Sequence, residues 1–126
     1  MKNIINIAVV GLGQVGIYLL NELNTKKKEI ELKSEKKIKI VAVSARNITK
    51  NRRFKVNKKI FFKNPLEIFK KTKVDILFEA IGLSDGISKK VVETALKNKI
   101  HVITPNKALI SKHGDYLGKL AEDNNV

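Results

Sequence analysis

Residues 7–16 read IAVVGLGQVG, and this run restricts the fold more than any other in the chain. Ile7, Ala8, Val9 and Val10 are apolar without alternation, the pattern of a strand buried on both faces. Gly11-x-Gly13-x-x-Gly16 then opens an amphipathic stretch. Gly11 permits a tight turn out of the strand, Gly13 lets a pyrophosphate approach bare backbone, and Gly16 lets the next helix pack closely on the strand. The N-terminus of that helix offers unpaired N–H groups to phosphate oxygens. Three glycines alone are weak evidence, and a glycine-rich turn in some other α/β protein would look similar. Their position between a strand and a helix strengthens the reading.

Going along the chain, Gln14–Asn24 carries Val15, Ile17, Tyr18, Leu19, Leu20 and Leu23 at helical spacing. Thr25–Lys37 is charged and lacks a sustained apolar face, so it reads as a frayed helix end followed by a loop. Ile38–Val43 is a second buried strand. Strand, glycine turn, helix and strand form one βαβ unit, whose two strands should be parallel with a right-handed crossover. A short edge strand is expected around Ile60–Phe62. Asn64-Pro65-Leu66-Glu67 has an N-cap, a proline at the first helical position and an acid in the first turn, starting a short helix to about Lys71. Val74–Ile81 is a third long strand, Ser84–Asn98 a helix and Ile100–Ile103 a further strand. Pro105 suits the first position of a final helical region, which Gly114 is expected to break in two. The expected fold is α/β and Rossmann-like, a mostly parallel sheet with helices on both faces, in one domain spanning 1–126.

Two features bear on the ligand. In dinucleotide folds an acid usually follows the second strand and binds the ribose hydroxyls. Here the corresponding residues are Ser44, Ala45, Arg46 and Asn47, with Lys50, Arg52 and Arg53 close behind. A guanidinium with its planar donor fork suits a 2′-phosphate, which favours NADP while leaving NAD possible. A surface arginine at a strand end would read the same way. Glu79 lies near the C-terminal end of its strand, where ligands bind in parallel sheets; it is either functional or a cap for a neighbouring loop or helix.

Charge and composition narrow the field. The net charge is +14, and residues 25–73 hold 18 Lys/Arg against 4 Asp/Glu, so the whole excess lies there. Nucleic acid would be one partner for such a stretch. Lysine outnumbers arginine by 23 to 3 and aromatic residues that could stack on bases are few, which favours a solvated surface, with no nucleic-acid partner expected. The chain has no cysteine, which excludes disulfides, a thiolate nucleophile and a thiolate metal site; no metal site is expected. The first strand starts too early to leave room for a signal peptide, and no apolar run is long enough to span a membrane, so a soluble, cytoplasmic protein is expected.

The segments VVGLGQVG (9–16), VSARN (43–47), FEAIG (78–82) and HVITPNKALISKHG (101–114) together resemble the N-terminal nucleotide-binding domain of homoserine dehydrogenase over essentially the whole chain. The last segment is the most specific. The resemblance implies that Gly11, Leu12, Gly13, Val15 and Gly16 contact the cofactor pyrophosphate and ribose. It places Ser44, Ala45 and Arg46 at the adenosine end, and Ile81, Gly82 and Lys107 on the nicotinamide side. Lys107 matches the lysine of the family's NK motif and is the candidate catalytic residue. A cation there can stabilise the alkoxide that develops when an aldehyde is reduced. The family interconverts L-homoserine and L-aspartate 4-semialdehyde on the way to threonine and methionine. It carries a further domain that binds this small-molecule substrate and forms the homo-oligomer. That domain is not within these residues, so the chain is expected to be a fragment that binds NADP(H) and is inactive alone. Other readings are another amino-acid or semialdehyde dehydrogenase, or a nucleotide-sensing regulatory domain such as those gating potassium transport. The latter usually bear an acid after the second strand and have no use for TPNK.

Overall fold

The computed structural model describes residues 3–47 and 56–126; Lys50, Arg52 and Arg53 lie outside the described residues. Among the described residues five strands form one sheet: β1 (Ile4–Val10), β2 (Lys37–Ser44), β3 (Phe61–Phe62), β4 (Ile76–Glu79) and β5 (His101–Ile103). Their order is β3-β2-β1-β4-β5, and every pairing is parallel. The helices are α1 (Gln14–Thr25), α2 (Lys27–Ser34), α3 (Ile68–Lys71), α4 (Ile87–Lys97) and α5 (Lys107–Asp123). This is the expected Rossmann-like α/β architecture.

The unbroken apolar run of β1 follows from its central place. Ile7 and Val9 pack with Ile17 and Leu20 of α1 on one face. Ala8 and Val10 pack with Ile68 of α3 and with Val91 and Ala95 of α4 on the other. Both faces are covered, so neither can be polar. The register slips between Ile7 and Ala8, which face Ile40 and Ala42. Val41 is the extra residue, and it shares the α3/α4 face with Ala42, while Ile40 and Val43 lie on the α1 face. The bulge keeps both ends of β2 in phase with the two cores. α5 packs on α4, where Leu109 and Leu117 meet Val92 and Leu96.

Three local expectations need correction. Thr25–Lys37 is mostly a second helix, α2, rather than a frayed end and loop. Its few apolar residues hid it, but Glu29 and Lys33 pair at i, i+4 (3.0 Å), and Ile30 packs against the α1-side core. The side chain of Glu31 also accepts the Ile38 amide at 2.8 Å, joining the helix to β2. The last helix is not broken at Gly114; α5 is continuous because Leu109 and Leu117, on either side of that glycine, are both anchored in the core. Nor does Pro105 start it. Asn106 is the N-cap, its Oδ1 accepting the Leu109 amide at 3.0 Å, and Pro105 lies before the helix. The other differences are end effects. The strand expected over 74–81 is β4, 76–79, and the first turn after Asn64 is 3-10, with Asn64 Oδ1 accepting from Leu66 N at 3.0 Å.

A continuous α5 makes opposite demands on its glycines and its core leucines. Nothing lies within 4 Å of a Cβ added at Gly118. Gly118→Ala is therefore expected to stabilise by about 0.4–1 kcal/mol, and Leu109→Ala to destabilise by about 2–5 kcal/mol. Urea denaturation followed by circular dichroism measures both.

Candidate functional site

The sheet order reverses direction at β1. Going one way the chain lays down β2 and β3, and going the other it lays down β4 and β5. The loops after β1 and β4 must therefore part, opening a crevice beyond the strands' C-terminal ends. A cleft of about 840 Å³ lies there. Gly11–Gly13 form its floor, Ser44–Asn47 and Lys63–Pro65 one end, and Ala80, Ile81, Leu83 and Ile87 the other.

The floor is set by two close approaches. Gly11 has φ +97°, and its N–H donates to the Ser44 carbonyl at 2.8 Å, joining the ends of β1 and β2. A Cβ on Gly11 would lie 2.6 Å from the Ala80 carbonyl group. A Cβ on Gly16 would lie 1.9 Å from the Gly11 carbonyl oxygen, a distance no side chain can occupy. These two glycines bring α1 and the β4 loop onto the turn. Gly13 differs, with nothing within 4 Å of an added Cβ. It is the N-cap of α1; among the described residues no side chain caps that helix, and its first turn has no acid. The open amides and the positive end of the helix dipole thus face the concave cleft.

Gly11, Leu12, Gly13, Ser44, Ala45, Arg46 and Ile81 all line the cleft. Val15, Gly16, Gly82 and Lys107 do not: Val15 is exposed on α1, Gly16 is buried under the turn, Gly82 lies just beyond Ile81 with φ +89°, and Lys107 is exposed at the start of α5. The structure adds Lys63, Asn64 and Pro65 to the wall that carries Arg46. Their place follows from β3 pairing with the end of β2, and no local motif announces that pairing.

Glu79 is fully buried, and three groups donate to its carboxyl oxygens. Its Oε2 accepts the amides of Ile81 and Gly82, each at 2.9 Å, and its Oε1 accepts the Thr104 hydroxyl at 2.5 Å. Thr104 Oγ1 in turn accepts the Asn106 amide at 3.0 Å. Asn106 Nδ2 donates to the Leu83 carbonyl at 2.7 Å. Of the two sequence readings of Glu79, the structure shows a cap on a neighbouring loop. A second tie lies nearer the surface, where Asp85 bonds Lys112 through one carboxylate oxygen and His113 through the other (2.7 Å). The Lys112 ammonium and then the His113 ring hold the Asp85 carboxyl at about 2, below the ordinary 3.8.

Comparison with known proteins follows the same outline. Residues 11–126 match the family model described as the NAD binding domain of homoserine dehydrogenase. The chain belongs to this family. A homoserine dehydrogenase of Neisseria gonorrhoeae is 33% identical over 122 residues, 97% of this chain and 28% of that protein. The crystal structure of S. aureus homoserine dehydrogenase at pH 6.0 superposes with a TM-score of 0.88 at 34% identity, covering 100% of this chain and 32% of that one. A hyperthermophilic archaeal homoserine dehydrogenase mutant in complex with NADPH shares the fold, with a TM-score of 0.78 at 20% identity, over 97% of this chain and 42% of that one. The chain thus spans about 28% of the curated relatives' length, the part that the family description assigns to NAD binding.

The turn and the Asp85 tie each give a test. Gly16→Ala is expected to cost about 1–3 kcal/mol by overpacking against backbone. Gly13→Ala, in open space at φ −79°, should cost less than about 1 kcal/mol; urea midpoints separate the two. Because the Asp85 carboxyl is depressed in the folded state, its stabilising contribution is present above its ordinary pKa and is lost as pH falls through about 2. Lys112→Ala should move its ¹³C carboxyl titration upward, toward 3.8.

Proposed function

We propose that the cleft binds NADP(H) in preference to NAD(H), as the cofactor half of an enzyme interconverting L-homoserine and L-aspartate 4-semialdehyde in threonine and methionine biosynthesis. The observation that carries this reading is the uncapped N-terminus of α1 at Gly13, opening into a cleft whose far wall presents Arg46 and Lys63. A volume of about 840 Å³ is within the range of small-molecule sites. The amides of the α1 first turn and the backbone of Gly11–Gly13 would hold the pyrophosphate. Ser44, Ala45 and Arg46 would hold the adenosine end, and the Arg46 fork, joined by the Lys63 ammonium, would pair with a 2′-phosphate. No carboxylate stands in Ser44–Asn47 to accept a ribose 2′-hydroxyl, as an NAD site requires.

The nicotinamide end would lie over Ile81 and Gly82. When bound there, the cofactor supplies or takes up the hydride. The residues of this chain contribute placement and charge. The Gly82 backbone leaves the ring side open, since nothing lies within 4 Å of an added Cβ. Lys107, at the first position of α5, would offer an ammonium to the cofactor and to the substrate oxygen as negative charge develops on it. Productive geometry also needs substrate-holding groups, and the relatives extend well beyond the matched part. We therefore expect the 126 residues to bind NADPH and to leave aspartate semialdehyde essentially unreduced. The complete enzyme would act on this small-molecule substrate in the cytoplasm as a homo-oligomer.

Fluorescence titration of the chain with NADPH, NADH and a DNA oligomer tests the reading. NADPH is expected to bind more tightly than NADH, and the DNA only weakly and in a steeply salt-dependent way. Arg46→Ala should weaken NADPH binding about tenfold or more while changing NADH binding little. Equal affinity for both nucleotides, or an Arg46→Ala variant that keeps the preference, would contradict the NADP assignment.

A further inference from the structure

We propose that Glu79 is a positioning residue that couples the nicotinamide end of the cleft to Lys107; the inference rests on the reading of Lys107 given above. Two separate segments must agree for that end of the site to work. One is the loop after β4, which carries Ile81, Gly82 and Leu83. The other is the turn Thr104–Asn106, which aims the start of α5. The Glu79 carboxylate bonds both, through the Ile81 and Gly82 amides on one oxygen and the Thr104 hydroxyl on the other.

The link then closes into a ring. Thr104 Oγ1 accepts the Asn106 amide, and Asn106 Nδ2 returns to the Leu83 carbonyl. Asn106 also caps α5 through Leu109, fixing the direction of the helix whose first residue is Lys107. The segments therefore move together, and the position of Lys107 follows from the position of the Ile81–Gly82 backbone. Burial strengthens the link at its two anchors: Glu79 is 0% exposed and Asn106 6%, and hydrogen bonds made by groups held out of water are stronger. The Asp85 tie to Lys112 and His113 is solvent-exposed and reaches the helix about a turn and a half further on, so it cannot set the first turn in the same way.

Thr104→Val removes the hydroxyl at nearly constant volume and cuts the link, whereas Thr104→Ser keeps it. A double-mutant cycle on NADPH binding measures the coupling. In the native chain, Lys107→Ala is expected to weaken NADPH binding about tenfold. In a Thr104→Val background its effect should fall below about twofold, and Thr104→Ser should restore it. A purely structural Glu79–Thr104 bond would lower the melting temperature and leave the effect of Lys107→Ala unchanged; that result overturns the proposal. If Thr104→Val does not fold, Thr104→Ala replaces it in the cycle, since it also removes the hydroxyl that Glu79 accepts and leaves the two loop amides on the carboxylate. If Lys107→Ala has no effect in the native chain, the placement of Lys107 fails and the coupling with it. A native chain that does not bind NADPH at all contradicts the function itself.

Discussion

The Gly16 Cα sits so close to the Gly11 carbonyl that an added Cβ would lie 1.9 Å from its oxygen. This approach settles where α1 begins, and most of the cleft depends on it. A helix that starts this close to the strand end directs its open first-turn amides across the crevice. The same turn places the Gly11 amide on Ser44, fixing the end of β2, and lets Ala80 pass within contact of Gly11, fixing the start of the β4 loop. Two positions without side chains thus align three strand ends around one space.

Electrostatics then divides that space. The middle, lined by Gly11, Leu12 and Gly13, offers backbone donors and the helix dipole, which suits a pyrophosphate. The wall after β2 carries Arg46, and the wall after β3 carries Lys63. The opposite wall is apolar, with Ala80, Ile81, Leu83 and Ile87. A carboxylate does lie beneath that apolar side, but Glu79 directs its charge into the Ile81 and Gly82 amides and the Thr104 hydroxyl. Among the described residues lining that wall of the cleft, none is acidic.

Much of this was legible in the sequence because its physics is local. β1, β2 and β4 announce themselves as β-branched runs, since strands covered on both faces tolerate little else. The glycine spacing marked the turn, and the departure from the usual acid after β2 drew attention to Arg46. The remaining features rest on contacts that leave no local pattern in the sequence. α2 is held by Glu29–Lys33, by Ile30 on the core and by Glu31 on the Ile38 amide, and none of these gives a broad apolar stripe. Gly114 looked like a break because glycine weakens an isolated helix, but packing on α4 outweighs a penalty of about 1 kcal/mol. α5 starts after Asn106 rather than at Pro105 because Asn106 caps the Leu109 amide while its Nδ2 donates to the Leu83 carbonyl, 23 residues earlier. Lys63 and Pro65 came to the cleft through a two-residue strand that pairs with the end of β2.

The central claim is that the α1 N-terminus and the Arg46 wall bind one NADP(H) molecule between them. Backbone amide chemical shifts, followed as NADPH is added to the ¹⁵N-labelled chain, test it most directly. The account predicts saturable shifts concentrated in Gly11–Val15 and Ser44–Asn47, with those of Ser44–Asn47 smaller for NADH. Shifts spread over the lysines of α2, or none in the glycine turn, would contradict it.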